Sequence, residues 1–229
     1  MKKIVSGIFI IMMCVFLSGC SLKFSVKKPS NNTSTGVNPD QSVKSKASDL
    51  EKNITTTTGV TAEKKLVVIA KNSNKEAVSL KITAEFYDEN GKIVGSEYEN
   101  LNCLGANSEG AVEMFDTPSS YAKFKIYADV EDNIYKSYID QVSITHNKSG
   151  DQVVAQVTNN SSETLSYVDA AVVYYQGNQI VGFDDNIETD VKPGRAANFN
   201  FYGPVDSNYD DVPFDTYKVF VNGAYLYLN

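Results

Sequence analysis

The sequence predicts an all-β protein with two tandem strand-rich domains, which follow an N-terminal targeting segment and a polar tether. Apolar and polar residues alternate with a period of two in many short stretches, so one face of each strand is expected to be buried and the other wet. A strand–turn–strand pattern at 80–95 occurs again at 167–182, which indicates a duplicated unit. The strand-rich part shows no sustained apolar period of 3.6 residues, so no core helix is expected.

Residues 1–19 have the features of an export signal. Two lysines follow the initiator methionine, and the apolar run up to Leu17 is too short to span a bilayer comfortably. The segment Leu17-Ser18-Gly19-Cys20 resembles the lipobox of bacterial lipoproteins. That resemblance implies cleavage before Cys20, a lipid on its sulfur with acyl chains such as palmitate, and attachment to the extracytoplasmic face of a bacterial cell membrane. The alternatives are an ordinary secretory signal or a membrane anchor.

Residues 20–52 are predicted to be the lipidated cysteine followed by a disordered tether. Apolar residues are sparse here and show no period. Residues 21–52 contain six lysines and three acidic residues, a net charge of +3. A weak attraction to anionic lipid headgroups and a simply solvated tether are the two interpretations. In both, the tether holds the following residues away from the membrane.

Residues 53–137 are predicted to form the first β domain. A β-branched run begins at Leu66, and the alternation at 80–87 predicts a strand with one buried face. Asp88-Glu-Asn-Gly91 follows, and Asn-Gly tolerates positive φ at both central positions of a tight hairpin turn. Two later alternating stretches, at 111–115 and 122–127, complete this domain.

Residues 138–229 are predicted to form the second β domain. A shift of 87 positions places Asn72 on Asn159 and Tyr87 on Tyr174 without a gap, whereas the last strand needs a shift of 93. The second copy therefore has about six extra residues between Phe201 and Phe214.

Asp169 breaks the match between the copies, because the same shift places it on the inward-pointing Ile82. An unpaired buried carboxylate is costly. The strand therefore either opens to solvent at Asp169 or holds its carboxylate in a hydrogen bond.

Two short segments occupy matching places in the copies, Ala84-Glu-Phe-Tyr-Asp88 and Ala171-Val-Val-Tyr-Tyr175. Together with the preceding Asn-Ser turns, the Gly-containing hairpins and a later Phe-rich strand, they resemble the FxLYD domain of bacterial lipoproteins. Ala replaces the leading Phe in both copies, and Tyr175 replaces Asp in the second. The resemblance covers about 66–128 and 153–222 and implies two tandem immunoglobulin-like β-sandwich domains. It implies no particular activity, since a fold alone does not give a function.

Residues suited to catalysis are scarce. The one histidine, His146, lies in a polar stretch that is typical of an exposed hairpin turn. The sequence contains no nucleophile elbow, phosphate loop or Cys/His metal spacing. Cys103 has no basic neighbours in sequence, so it is read as a buried apolar residue or an inert surface thiol. We therefore expect that the protein is not an enzyme.

The acidic loops of the second copy are the main candidate site. The copies carry net charges of −4 and −8, which makes nucleic acid an unexpected partner. Asp206, Asn208 and Asp210 have the alternate spacing of the first ligands of a calcium loop, but Asp211 stands where such a loop needs Gly and Tyr217 where it needs Glu. A solvated loop and a weak Ca²⁺ site are both open, and no other cofactor is expected.

Four tyrosines are further candidates for a binding surface: Tyr87, Tyr174, Tyr202 and Tyr209. They could offer aromatic contacts to a glycan or peptide, or they could be half-buried residues of the sheets.

The functional prediction is a membrane-anchored extracytoplasmic lipoprotein, a non-catalytic module that binds a protein or another cell-envelope partner. The alternative is a surface protein that binds an ion or small ligand, Ca²⁺ or a glycan, through the acidic loops of the second copy.

Overall fold

A computed structural model describes residues 47–132 and 134–228, and all of these belong to one compact unit. The predicted signal, Cys20 and most of the predicted tether lie outside these residues. The prediction of an all-β fold is confirmed: strands dominate, with only a short helix at 47–51 and a 3-10 turn at Ile139–Gln141. In this part of the chain, no helix is long and apolar enough to cross a membrane.

The strands of the described residues are numbered in chain order. They are β1 (Ile54–Val60), β2 (Leu66–Asn72), β3 (Val78–Tyr87), β4 (Ile93–Leu104), β5 (Glu109–Met114), β6 (Lys123–Glu131), β7 (Tyr135–Ser137), β8 (Val142–Ser149), β9 (Gln152–Asn159), β10 (Leu165–Gln176), β11 (Gln179–Val191), β12 (Ala196–Phe201) and β13 (Thr216–Tyr227).

The strands form four antiparallel sheets that pack face to face in a stack, and we number the sheets 1 to 4 in that order. Sheet 1 has the order β4-β3-β6 and sheet 2 the order β1-β2-β5. Sheet 3 has the order β11-β10-β13-β7 and sheet 4 the order β12-β9-β8. Sheets 1 and 2 enclose one apolar core and sheets 3 and 4 enclose another, so the chain forms two sandwich-like halves. Strand β7, just before the predicted boundary at 138, pairs with β13 of the second half.

A third apolar cluster joins the halves. Its buried members are Val67 and Ala111 from sheet 2, and Val173 and Phe220 from sheet 3. These residues lie on the strand faces opposite the two cores, so sheet 2 packs its outer face against the outer face of sheet 3. Strands buried on both faces read as continuous apolar runs rather than alternating ones. The run Leu66-Val-Val-Ile-Ala70 is such a sequence.

The duplication is visible in the strand register. Leu66 pairs with Met114 in the first half, and Val153 pairs with Phe201 in the second, both related by a shift of 87.

A buried asparagine is also duplicated. The side chain of Asn72 donates to the carbonyls of Glu76 and Leu104, and that of Asn159 donates to the carbonyls of Glu163 and Val191. The equivalent bonds pin the same turn in each copy.

The gapless alignment is wrong within β10. Phe86 pairs with Gly95 and Phe124, whereas Tyr174 pairs with Gly182 and Tyr217. Tyr174 is therefore the structural counterpart of Phe86, at a shift of 88. Compared with β3, strand β10 has one extra residue between Leu165 and Val168. The β10–β11 hairpin is one residue shorter than the β3–β4 hairpin, so the shift returns to 87 in β11. The inward counterpart of Ile82 is consequently Ala170, not Asp169.

The first hairpin turn also differs from the prediction. There, the N–H of Gly91 donates to the carbonyl of Asp88, and only Gly91 has positive φ, at 81°. This is a type I turn followed by a left-handed residue, rather than a two-residue turn with two positive φ values. The second hairpin has the two-residue turn Gly177-Asn178, with φ of 58° at Gly177.

Candidate functional site

The predicted calcium residues form a self-capped loop. Oδ1 of Asp206 accepts hydrogen bonds from the main-chain N–H groups of Asn208 at 2.7 Å and Asp210 at 3.1 Å. These bonds lower the pKa of the Asp206 carboxyl because they stabilise its charged form. The Asp-x-Asn-x-Asp spacing therefore serves the turn itself. No group of three or more acidic, His or Cys side chains within the described residues is placed to hold a metal ion, and a Ca²⁺ site stays a prediction.

His146 and Cys103 lie in strands. His146 is an exposed residue of β8, not of a turn, and its Nδ1 lies 3.2 Å from the hydroxyl of Tyr217. The turn that follows is at Gly150. Cys103 is fully buried, which confirms the first of its two interpretations, and it has an unusual φ of 63°.

The four tyrosines named from the sequence have different environments. Tyr174 is buried in the second core and offers no surface, because its counterpart position in the first half is the core residue Phe86. Tyr202 and Tyr209 are exposed, at 67% and 82%. Tyr87 is half-buried on the outer face of sheet 1, where its hydroxyl contacts the carboxylate of Glu85.

The contact between sheets 2 and 3, which we call the seam, is held by polar bonds as well as by apolar packing. Asn222 of β13 accepts the main-chain N–H of Ala111 through Oδ1 at 2.9 Å and donates from Nδ2 to the carbonyl of the same residue at 2.9 Å. A third hydrogen bond joins the main-chain N–H of Ala62 to the carbonyl of Val181 at 3.1 Å. Lys218 and Glu109 form an ion pair across the seam.

Four carboxylates from both halves interact electrostatically through Asp185, and we call them the seam carboxylates: Asp169, Asp185, Glu99 and Glu113. Asp185 is in electrostatic range of each of the other three. Burial, reinforced by the Asp185 charge, raises the pKa of Asp169 to about 7. Burial likewise raises the pKa of Glu113 to about 7, even though Lys65 lies 3.3 Å away and opposes the shift.

Asp169 thus has an explanation that the sequence alone did not provide. It lies on the outer face of β10, between the two halves, where it accepts a long hydrogen bond of 3.5 Å from Nδ2 of Asn222. The interpretation that the carboxylate is hydrogen-bonded within the protein is therefore the correct one, although its partner belongs to the seam and not to a core.

A cleft of about 590 Å³ opens at the rim of the seam. One wall is the outer face of sheet 2, with Thr57, Gly59 and Ile69, and the other is the β10–β11 hairpin, with Tyr175 and Ile180. A side chain at position 59 would collide with Ile180, since a Cβ there would lie 2.8 Å from its Cδ1. The full lining comprises Thr57, Thr58, Gly59, Val60, Ile69, Tyr175, Asn178, Gln179 and Ile180.

The cleft is neutral in a strongly acidic protein. None of its nine lining residues is charged, although 21% of the chain is. Hydroxyl groups, side-chain amides and one aromatic ring converge with aliphatic side chains, so the cleft offers hydrogen bonds and apolar contact but no charged partner.

Comparisons with protein-family models and with curated proteins find no match for this chain.

Sequence reasoning missed most of the seam. It identified Asp169 as an anomaly but not Asn222 or Glu113. One available signal was the unbroken apolar run at 66–70, which indicates that sheet 2 is covered on both faces.

Proposed function

We propose that this chain is a non-catalytic binding module, with two tandem immunoglobulin-like sandwiches of the FxLYD type, held at the extracytoplasmic face of a bacterial membrane by a lipid on Cys20. The observation that carries the binding role is the neutral cleft at the seam. Both halves build it, so neither half alone would present it. A protein or another neutral component of the cell envelope is the partner class that suits its hydroxyl, amide and aromatic lining.

Photo-crosslinking in intact cells tests the binding role. A benzoylphenylalanine at Gln179, on the rim of the cleft, is expected to capture a discrete partner. The matched control is the same group at Asn198, an exposed residue on the outer face of sheet 4. Equal capture at both positions, or a hydrolytic turnover of the purified protein that one point substitution abolishes, would contradict the proposal.

Membrane attachment has a separate test. Cys20→Ala is expected to abolish acyl labelling and to release the protein from the membrane fraction. If the variant stayed in the membrane without an acyl label, an uncleaved signal segment would be the anchor instead.

A further inference from the structure

We propose that the seam is a proton-operated joint: protons bound by the seam carboxylates hold the two halves together, and loss of those protons loosens the contact. This inference concerns the halves themselves and does not depend on what occupies the cleft.

The carboxylates are shared between the two halves. Asp169 and Asp185 project from the outer face of sheet 3, on neighbouring strands. Glu113 projects from the outer face of β5, and Glu99 lies at the free edge of sheet 1. Asp185 interacts electrostatically with Asp169 of its own sheet and with Glu113 and Glu99 of the other half. When these groups ionise, their negative charges therefore repel each other across the contact between the halves.

Lys65 forms an ion pair with one member of this cluster. Lys65, in the β1–β2 connection, lies 3.3 Å from Glu113 and 3.7 Å from Glu63. On β4, Glu97 adds a further negative charge beside Glu99. From β13, the groups that face Asp169 are the amide of Asn222 and the phenol of Tyr225. Within the described residues, Lys65 is the one cation that forms an ion pair with a seam carboxylate.

The cluster is connected to the bonds that join the halves. Nδ2 of Asn222 donates to the carbonyl of Ala111 at 2.9 Å and also reaches Asp169 at 3.5 Å. An ionised Asp169 attracts this amide group more strongly than a protonated one, and only the ionised form repels Asp185. Proton loss therefore acts on the same side chain that bridges sheets 2 and 3.

The proton affinity suits such a role. Burial raises the pKa of Asp169 and Glu113 to about 7, and it raises the pKa of Asp185 and Glu99 above their ordinary values. Asp169 and Glu113 therefore exchange protons near neutrality, far above the usual range of surface acids.

Distance measurements between the outer sheets test the joint in the full chain, solubilised in detergent with EDTA to exclude divalent cations. Spin labels are attached through p-azidophenylalanine at Tyr98 on sheet 1 and Asn198 on sheet 4, both exposed. We expect one narrow distance distribution at about pH 5.5 and a broader one at about pH 8.5, since proton loss spans that interval. The double variant Asp169→Asn, Asp185→Asn is expected to keep a narrow distance distribution at both pH values.

The matched control is Asp210→Asn, Asp211→Asn, which removes two exposed acids of the same half and should respond to pH as the wild type does. Wild-type distributions that do not change with pH would overturn the joint, as would a seam variant that responds like the wild type. Amide hydrogen exchange provides a second test that needs no variant. In the wild-type chain, the protection of β5 relative to β9 should fall roughly tenfold from about pH 5.5 to about pH 8.5, after correction for intrinsic exchange rates. Unchanged relative protection would also overturn the proposal.

Discussion

The side chain of Asn222 satisfies both main-chain groups of Ala111, 111 residues earlier in the chain, with two hydrogen bonds of 2.9 Å. Asn222 is 3% exposed and Ala111 is fully buried. Ala111 is on the edge strand β5, which pairs with β2 along one edge and has no strand neighbour along its other edge in the described sheets. The amide of Asn222 thus takes the place of a missing strand, and it does so across the boundary between the two halves.

Replacement of this amide should be costly. Asn222→Ala leaves a buried N–H and a buried C=O without partners, and each such group costs ~1–3 kcal/mol. We expect a loss of about 2–4 kcal/mol in the free energy of unfolding, measured by urea denaturation. Asn198→Ala, at an exposed position, is the control and should change it by less than about 0.5 kcal/mol. Similar values for the two variants would mean that the bonds to Ala111 do not hold the seam.

The counterpart residues Phe86 and Tyr174 predict a stabilising substitution. The hydroxyl of Tyr174 is fully buried and makes no hydrogen bond within the described residues, and burial raises the pKa of this phenol. Tyr174→Phe removes an unsatisfied group from a ring-packed site beside Phe214. It should raise the free energy of unfolding by about 1 kcal/mol and the melting temperature by roughly 2–4 °C.

The reverse substitution is the control for this prediction. Phe86→Tyr introduces a hydroxyl into the equivalent place in the first core, so it should destabilise the protein by about 1–3 kcal/mol in thermal unfolding. A Tyr174→Phe variant that melts below the wild type would instead show that the hydroxyl has a bound water or ligand as its partner.

The comparison of Phe86 with Tyr174 shows what the sequence could and could not give. Alternation, hairpin signals and the repeated pattern predicted the strands and the duplication, because those features depend on neighbouring residues. The extra residue in β10 was invisible, since a shorter hairpin compensates for it and leaves the landmarks on either side aligned. Asp169 was therefore placed on the wrong face of its strand, as a one-residue slip requires.

The candidate site was harder to predict than the fold. The seam depends on pairs such as Asn222 with Ala111, which no local pattern connects. The acidic spacing at 206–210 was visible in the sequence, yet in the structure it serves a turn. A short polar spacing has the same appearance whether its oxygens face a cation or the main chain.

The loop at 206–210 has its own test. Since Oδ1 of Asp206 accepts two main-chain N–H groups, Asp206→Ala should lower the melting temperature, but by less than Asn159→Ala, which removes buried bonds. We expect that Ca²⁺ leaves the melting temperature of the wild type unchanged. A calcium-dependent rise that is lost in both Asp206→Ala and Asp210→Ala would instead establish the metal site.

The dependence of stability on pH should run opposite to that of ordinary carboxylates. Asp169 and Glu113 have folded-state pKa values of about 7, raised from 3.8 and 4.5. Between pH ~4 and ~7 the folded state therefore binds more protons than the unfolded state, so the free energy of unfolding falls as pH rises. Asp206 acts in the other direction, but its lowered pKa confines that effect to pH below about 4.

Thermal unfolding between about pH 5 and pH 8 measures this slope. We expect the wild type to lose about 2–3 kcal/mol for each of the two carboxyls over that range, which lowers the melting temperature by an amount on the order of 10 °C. Asp169→Asn keeps an oxygen for the amide of Asn222 but cannot ionise, so its curve should be flatter and should lie above the wild type at pH 8. Asp211→Asn, on the exposed loop, should reproduce the wild-type slope. A wild-type stability that rises from pH 5 to pH 8 would show that Asp169 and Glu113 ionise freely in the folded protein, and that the seam tolerates their charges.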